Sequence, residues 1–386
     1  MNRIAVFHDN FAQMGGAERV AAALASALPG ADLCSTLAAY DKLIPELRDR
    51  HIRTTWMQHL PAVGRLYRHY FMLYPIAIGM MNLRDYDLIV TSCFGYAKGI
   101  NKRADAIHVC YCHNPMRWVW RYTDYATREN FGLVERILVP ALLALLRRWD
   151  LRAATHPDFY IANSRSVSDR IRDFYGRDSV VIHPPIDINR FHFADRKGDY
   201  YLVLSRLSAY KRIDLAIQAC NILKRRLIII GDGPDRKRLE RLAGPTIEFK
   251  GRQPDTYVSQ AAAECRALIF PGEEDFGMAP LEVNAAGRPV VAFRAGGALE
   301  TVRESETGLF FEQQDSAVLA DAIGRLENHT WSQEHLRQHA AQFDRSRFEN
   351  RIRTFLSSVA PGIETAHETG LPSHSHCLSQ PQVSSL

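Results

Sequence analysis

Residues 267–282, ALIFPGEEDFGMAPLE, give the clearest indication of the fold. The stretch opens with Leu268–Phe270, a short apolar run of the kind that forms a buried strand. Pro280 suits the first turn of a helix, where a missing backbone N–H costs nothing. The stretch therefore predicts a strand, then a loop that carries Glu274, then a helix with Glu282 in its opening turn.

The same alternation of apolar run and helix-length segment extends in both directions. Ten such runs are found, five in each half of the chain: Ile4–Phe7, Asp87–Ser92, Ile107–Cys112, Phe159–Ala162, Val180–His183, Tyr201–Leu204, Leu227–Ile230, Ile247–Phe249, Leu268–Phe270 and Val290–Phe293. Apolar strands that alternate with helices indicate parallel sheets covered on both faces. Two such series predict an α/β fold with two doubly wound domains.

Prolines and composition suggest where the domains begin and end. Pro184 and Pro185 stiffen the link between the two series, so we expect an N-terminal domain at residues 1–183 and a C-terminal domain at residues 184–342. Residues 343–357 follow the second domain and read as a basic amphipathic helix. Residues 361–386 are rich in Ser, Pro, His and Gln, which predicts a disordered tail.

Length and composition exclude several classes of protein. A chain of 386 residues with 46% hydrophobic and 24% charged residues is long enough for two globular domains and is neither fibrous nor mainly disordered. A net charge of only +5 argues against a nucleic-acid partner. Seven scattered cysteines do not form a disulfide framework, and the N-terminus reads as a strand rather than a signal peptide. We therefore expect a cytoplasmic protein.

Two pairs of residues follow predicted strands and suit an anion. Gly15 and Gly16 precede an Ala-rich helix, where backbone N–H groups can approach a phosphate, although a flexible loop would look the same. Arg206 and Lys211 follow the strand Tyr201–Leu204 and could bind a departing diphosphate. Taken alone, two basic residues in a loop are more often a solvated surface.

The loop and helix of the opening stretch suit a ligand with hydroxyl groups. Glu274 and Glu282 carry carboxylates that accept hydrogen bonds from vicinal hydroxyls. Between them, the free N–H groups of the helix start around Phe276, Gly277 and Met278 point outward. A sugar at one end and a ribose at the other would use both carboxylates.

Residues 1–357 resemble the retaining glycosyltransferases of family 4, which have the GT-B fold of two facing Rossmann-like domains. The resemblance rests on Gly15-Gly16-Ala17-Glu18, on Arg206 with Lys211, on Gly231-Asp232-Gly233-Pro234, on Glu274 with Glu282, and on Gly296-Gly297-Ala298-Leu299-Glu300. The residues from Glu274 to Val283, with the Gly-Arg-Pro-Val-Val run that follows, look most like bacterial GDP-mannose-dependent mannosyltransferases of polysaccharide assembly.

The resemblance implies a role for each matching residue. Arg206 and Lys211 would hold the donor diphosphate, and Glu282 the ribose. Glu274 and Phe276–Met278 would hold the donor sugar, and Gly15 and Gly16 would approach the phosphates from the opposite domain. Residues 343–357 would form the helix that crosses back onto the first domain. The mechanism implied is metal-independent, with no cofactor apart from the donor nucleotide sugar.

His113 follows the strand Ile107–Cys112 at the position of the family histidine beside the reacting sugar. It would hydrogen-bond the sugar or the developing charge, and the alternative is a structural loop histidine. With Cys110 and Cys112 it imitates a metal cluster, but a fourth ligand and a second C-x-x-C are missing, so we expect no metal. His374, His376 and Cys377 lie in the predicted tail and are not expected to bind metal either.

Residues 70–81, YFMLYPIAIGMM, leave two interpretations open. They are too few to span a bilayer, but aromatic residues flanked by Arg65, Arg68 and Arg84 suit the interface of an anionic membrane. A buried core helix is the alternative. The membrane interpretation agrees with a peripheral position on the inner face of the plasma membrane, because many relatives glycosylate polyprenyl-diphosphate-linked acceptors.

The function expected is transfer of a hexose, with retention, to a glycan or lipid-linked oligosaccharide in cell-surface polysaccharide biosynthesis. Mannose from GDP-mannose is the expected donor, and a UDP-hexose is the alternative. The loop Lys250-Gly251-Arg252 is expected to contribute to the choice of base. A GT-B nucleotide-sugar epimerase and a non-catalytic sugar-binding relative are rival classes; the intact glutamate pair and both cations argue against the second.

Overall fold

The computed structural model describes residues 3–120, 133–194 and 198–362, and contains two parallel sheets, each the centre of one domain. The first sheet has the strand order β3-β2-β1-β4-β5-β6-β7. Its strands are β1 (Ile4–His8), β2 (Asp32–Ser35), β3 (Ile52–Thr54), β4 (Leu88–Cys93), β5 (Ile107–Cys112), β6 (Phe159–Ala162) and β7 (Val180–Val181). Its helices are α1 (Gly16–Ala27), α2 (Val63–Leu66), α3 (Tyr74–Met80), α4 (Arg117–Trp120), α5 (Leu133–Ala153) and α6 (Arg165–Tyr175).

The second sheet has the strand order β10-β9-β8-β11-β12-β13. Its strands are β8 (Tyr200–Leu204), β9 (Arg226–Ile230), β10 (Ile247–Gly251), β11 (Leu268–Phe270), β12 (Val290–Phe293) and β13 (Gly308–Phe311). The helices that follow Arg212 are α7 (Ile213–Leu223), α8 (Arg236–Leu242), α9 (Asp255–Glu264), α10 (Met278–Ala285), α11 (Ala298–Thr301), α12 (Ser316–Glu327), α13 (Gln333–Ala340) and α14 (Arg345–Val359).

Each sheet is buried on both faces, as its apolar strands require. In β1, Ala5 and Phe7 pack into one core while Ile4 and Val6 pack into the core on the opposite face. Successive side chains of a strand point to opposite faces, so a strand covered on both sides has to be apolar throughout. The predicted α/β fold class of two doubly wound domains is confirmed.

The last helix belongs spatially to the first domain. Phe348, Ile352 and Leu356 of α14 are buried in the N-terminal core, and the helix packs against α1. Arg353 Nε donates a hydrogen bond to the carbonyl oxygen of Ala27 at 3.0 Å. The chain therefore passes between the two domains twice, once near residue 184 and once near residue 344. The predicted tail lies outside the described residues from residue 363 onward.

The segment 70–81 forms turns followed by the helix α3. Tyr74, Ala77 and Ile78 are buried in the N-terminal core. Ile76 and Met80 remain 54% and 68% exposed on the other face of the helix. This segment therefore contributes to the core with one face and presents apolar side chains with the other. In the described part of the chain, no helix combines the length and apolar character needed to cross a bilayer.

One detail of the predicted layout is wrong. The helix after β11 begins at Met278, so Glu282 is its fifth residue and lies at the start of the second turn rather than in the opening one. Pro280 is the third residue, still among the positions whose N–H groups lack an intrahelical acceptor.

Candidate active site

The loops after strands β1, β5, β8, β9 and β11 line a cleft of about 840 Å³ between the two domains. Carboxyl ends of parallel strands are where ligands bind in open α/β sheets. The structure brings all ten predicted site residues to this cleft: Gly15, Gly16, His113, Arg206, Lys211, Glu274, Phe276, Gly277, Met278 and Glu282.

The loop between β11 and α10 rests on two glycines. The Gly297 N–H donates to the Glu274 carbonyl oxygen at 2.8 Å. A Cβ added to Gly297 would lie 2.1 Å from the Cα of Phe276, and one added to Gly296 would lie 2.4 Å from the Glu274 carbonyl oxygen. Only glycine allows so close an approach. The Gly296-Gly297 pair therefore allows the loop that carries Glu274 to lie in direct contact with the backbone of these two glycines.

Two oppositely charged side chains of the cleft, Lys211 and Glu274, form an ion pair. Lys211 Nζ lies 2.5 Å from a carboxylate oxygen of Glu274. Burial alone would lower the pKa of Lys211, but the Glu274 carboxylate raises it above its ordinary value. Lys211 is therefore a fixed positive charge. Arg206 lies farther out, with a hydrogen bond of 3.0 Å to the side-chain oxygen of Gln13 in the opposite domain.

The glycine loop, which joins β1 to α1 and ends at Gly15 and Gly16, approaches the second domain at α10. Helix α1 starts at Gly16, and a Cβ added there would lie 2.9 Å from the sulfur of Met278. The two helix starts thus lie close together at one cleft, and the N–H groups of a first helical turn lack intrahelical acceptors. Both ends carry a partial positive charge that favours an anion between them.

The buried Glu18 side chain stabilises the glycine loop by accepting a hydrogen bond from its backbone. Its side chain is buried, and one carboxylate oxygen accepts the Gln13 N–H at 2.7 Å. Burial raises the pKa of Glu18 to about 7, against the lowering effect of the loop N–H groups. The Gly15-Gly16-Ala17-Glu18 motif thus contains a carboxylate that shapes the loop rather than facing the cleft.

Asp275 is a site residue that the sequence analysis missed. Its carboxylate accepts hydrogen bonds from Asn114 Nδ2 at 2.7 Å and from Arg170 at 2.5 Å, and Arg117 lies 3.7 Å away. Although burial would raise the pKa of Asp275, Arg117 and Arg170 lower it. All three partners belong to the N-terminal domain, so Asp275 joins the loop between β11 and α10 to the opposite domain.

A second missed group lies near Glu282. Arg19 of α1 donates to both carboxylate oxygens of Asp255, at 2.8 and 3.0 Å. Arg190 also contacts this carboxylate, at 2.9 Å. Although burial would lower it, the pKa of Arg19 is raised, chiefly by Glu282 and Asp255. These pairs were not predictable because Arg19 and Asp255 are 236 residues apart.

His113 lines the cleft and is otherwise buried. Its Nε2 is hydrogen-bonded to the Ser92 hydroxyl at 2.8 Å. Burial lowers the pKa of His113 to about 4, although Asp275 raises it slightly against that trend, so the ring is neutral near pH 7. Cys110 and Cys112 are buried in β5, and no group of side chains suited to a metal ion occurs in the ranges that the structure describes. His374, His376 and Cys377 lie outside those ranges.

Glu300, from the Gly-Gly-Ala-Leu-Glu motif, lies where the chain passes between domains. Its carboxylate accepts the Arg165 N–H at 2.9 Å and pairs with His183 Nε2 at 2.8 Å. The His183 ring stacks on Phe276, with ring centroids 5.3 Å apart. The interdomain link, which contains His183, therefore contacts the loop between β11 and α10 directly.

Two family models cover most of the chain. Residues 14–190 match the model described as Glycosyltransferase Family 4, and residues 186–343 match that of Glycosyl transferases group 1. A D-inositol 3-phosphate glycosyltransferase of Mycobacteroides abscessus is 23% identical over 330 residues, 74% of this chain and 72% of that protein. A GDP-mannose-dependent alpha-(1-6)-phosphatidylinositol monomannoside mannosyltransferase of Mycolicibacterium smegmatis is 28% identical over 48% of this chain and 57% of that protein. The chain spans about half the length of several further curated relatives, between 45% and 56% of each.

The fold has close counterparts among solved structures. Anabaena HepE in complex with UDP-glucose superposes with a TM-score of 0.69 at 21% identity, covering 92% of this chain and 99% of that one. At this identity the likeness concerns the fold alone. With the sheet orders and the two family matches, it identifies the chain as a GT-B protein whose N-terminal domain matches Glycosyltransferase Family 4 and whose C-terminal domain matches Glycosyl transferases group 1.

Proposed function

We propose that this protein is a retaining glycosyltransferase that transfers a hexose from a nucleoside-diphosphate sugar. One observation carries the proposal: the Lys211–Glu274 pair and Glu282 line one cleft, between two helix starts with free N–H groups. The cation and the helix starts suit a diphosphate, while the two carboxylates suit sugar and ribose hydroxyls. This combination matches the two ends of a nucleotide sugar.

The proposed chemistry is a front-face transfer. The acceptor hydroxyl attacks on the side from which the diphosphate leaves, and a phosphate oxygen of the leaving group takes its proton. The protein orients both substrates and neutralises the charge that grows on the diphosphate. Lys211 and Arg206 supply that positive charge from protein groups, so the reaction as proposed needs neither a divalent ion nor a further cofactor.

For the donor, we propose mannose from GDP-mannose. The support is the run from Glu274 to Glu282, with its likeness to mannosyltransferases, and the relative named GDP-mannose-dependent. The acceptor proposed is a glycan or a polyprenyl-diphosphate-linked oligosaccharide of cell-surface polysaccharide assembly. A UDP-hexose is the alternative donor, because the fold that HepE shares does not choose the base.

A donor panel tests the proposal. Calorimetry with GDP-mannose, UDP-glucose, UDP-galactose and UDP-N-acetylglucosamine should give one donor a dissociation constant at least about tenfold below the others. Slow hydrolysis of that donor should release the hexose with its anomeric configuration retained. Release of an epimerised nucleotide sugar without any acceptor would instead identify an epimerase, and no binding of any donor would reject the proposal.

A further inference from the structure

A chain of three buried side chains leads from the cleft into the N-terminal core. His113 Nε2 is hydrogen-bonded to Ser92 Oγ at 2.8 Å, and the same oxygen is bonded to His8 Nδ1 at 2.9 Å. Ser92 and His8 are fully buried, on the neighbouring strands β4 and β1. His113 uses Nε2 toward Ser92, so Nδ1 is the ring nitrogen left for the cleft that this residue lines.

A buried Ser92 hydroxyl needs an acceptor for its own proton, which leaves two arrangements of this chain of side chains. Burial lowers the pKa of both histidines, so each neutral ring carries one proton near pH 7. The Ser92 hydroxyl has a single proton and can donate to only one of its two partners. Either His113 donates from Nε2 and Ser92 donates to His8, or His8 donates from Nδ1 and Ser92 donates to His113.

The two arrangements differ in what they leave at the inner end. In the described part of the chain, no group forms a hydrogen bond with His8 Nε2, which is buried beside Phe11 and Phe94. The first arrangement would place a proton there and create a buried N–H without an acceptor. The second leaves a bare lone pair. Buried donors without partners are rarer in proteins than under-used acceptors, so the second arrangement is favoured.

We infer that His8 and Ser92 are positioning residues that fix His113 as the Nδ1–H tautomer. The inference rests on the proposed function for its catalytic meaning. His113 then presents a hydrogen-bond donor to an oxygen of the sugar or the departing group, where negative charge develops. A neutral N–H group stabilises that charge by hydrogen bonding, without any transfer of its proton. The opposite tautomer would present a lone pair and repel the same oxygen.

The tautomer can be read in the free protein, without any assay of activity. Long-range ¹H–¹⁵N correlation spectra of ¹⁵N-histidine-labelled protein at pH 7 distinguish a protonated from a bare ring nitrogen. We expect His113 to show a protonated Nδ1 and a bare Nε2. A bare Nδ1 with a protonated Nε2 would overturn the inference. It would leave the donor panel unaffected, so the two proposals can fail separately.

A pair of variants then tests the positioning role. Ser92→Ala should lower turnover about tenfold, as loss of one hydrogen bond allows, with donor affinity within about twofold, and should abolish the single-tautomer signal of His113. Thr91→Val is the matched control, because Thr91 precedes Ser92 on β4 and is bonded to another buried histidine, His108, at 3.0 Å. Its side chain lies on the opposite face of the sheet. Equal losses of turnover in both variants, or an unchanged His113 signal in Ser92→Ala, would contradict the inference.

Discussion

At the scale of single residues, Glu18 links stability to pH. Burial raises its pKa from an ordinary value of 4.5 to about 7 in the folded protein, so the folded state holds a proton that the unfolded state has already lost in this range. Its contribution is therefore most favourable below about pH 4.5 and is lost as the pH rises to about 7.

Glu18→Gln removes this titration and keeps an oxygen for the Gln13 N–H. We expect the variant to gain up to about 3 kcal/mol of stability over the wild type between pH 5 and pH 8. Thermal unfolding of both proteins at the two pH values measures the difference. Parallel curves with a constant gap would show that Glu18 titrates normally.

Lys211 is the residue on which the proposed chemistry depends most. Lys211→Ala removes the cation proposed to stabilise the departing diphosphate and leaves the Glu274 carboxylate without this partner. Turnover should fall by about 100-fold or more, as for the loss of a single electrostatic stabiliser in other sites. Lys237→Ala, an exposed lysine of α8, is the control and should behave as wild type. An equally active, folded Lys211→Ala would refute the assignment.

The two glutamates should separate binding from turnover. Glu282 is expected to hold ribose hydroxyls equally in ground and transition states, so Glu282→Ala should weaken donor binding by about 1.5–3 kcal/mol. Glu274 pairs with Lys211, where the proposed reaction places the sugar, and Glu274→Gln should depress turnover more than binding. Donor dissociation constants and single-turnover rates decide this. The reverse pattern would mean that the donor lies the other way round in the cleft.

The site residues that the sequence predicted share one property: each lies in the loop or at the helix start that comes after a predicted strand. Strand ends can be located from local hydrophobicity, and parallel topology brings those ends together. Asp275 and Arg19 were missed for the opposite reason. Their partners lie 161 and 236 residues away, and no local pattern encodes such pairs. The signal available for Asp275 was only its position next to Glu274.

At the scale of elements, β2, β3 and β13 were not predicted, although they complete the two sheets. The strand β2 reads Asp-Leu-Cys-Ser and β3 has only three residues, so neither forms a recognisable apolar run. The strand β2 pairs with the longer β1, and β3 pairs with β2, so the neighbouring strands supply the stability that their own sequences lack. Central strands were predictable because they are buried on both faces.

The helix α3 supports a prediction about membranes. Its outer face presents Ile76 and Met80 close in sequence to the exposed Arg68 and Arg84. We expect the protein to sediment with anionic vesicles at low salt and to be released as salt rises, because the Debye length falls to about 8 Å at 0.15 M. Ile76→Asn should weaken this binding.

Ile222→Asn is the matched control for that experiment. Ile222 is 59% exposed on α7 of the other domain, so its replacement removes a similar apolar surface at a distance from α3. Equal effects of both replacements, or no sedimentation of the wild type, would show that α3 serves only the core.

At the scale of the whole molecule, Asp275 is expected to keep the two domains together. Asp275→Ala removes a carboxylate that three side chains of the opposite domain share. Arg117 and Arg170 would then keep like charges on one side of the cleft. We expect closure to weaken by about 1–3 kcal/mol and donor affinity to fall accordingly.

Small-angle scattering measures this opening as an increase in radius of gyration relative to the wild type. Asp321→Ala, which removes an exposed carboxylate of α12, is the control and should leave the scattering curve unchanged. If Asp275→Ala retains both the wild-type curve and the wild-type donor affinity, Asp275 does not govern closure.

The position of α14 has a consequence for how the protein is made. A ribosome completes β7 early, but the helix that covers α1 emerges only after the entire second domain. Until then the apolar groove that will receive Phe348 and Leu356 is open to water. The nascent first domain should therefore be incompletely folded and should bind chaperones. Maturation of the first half of this protein is thus timed by translation of the second.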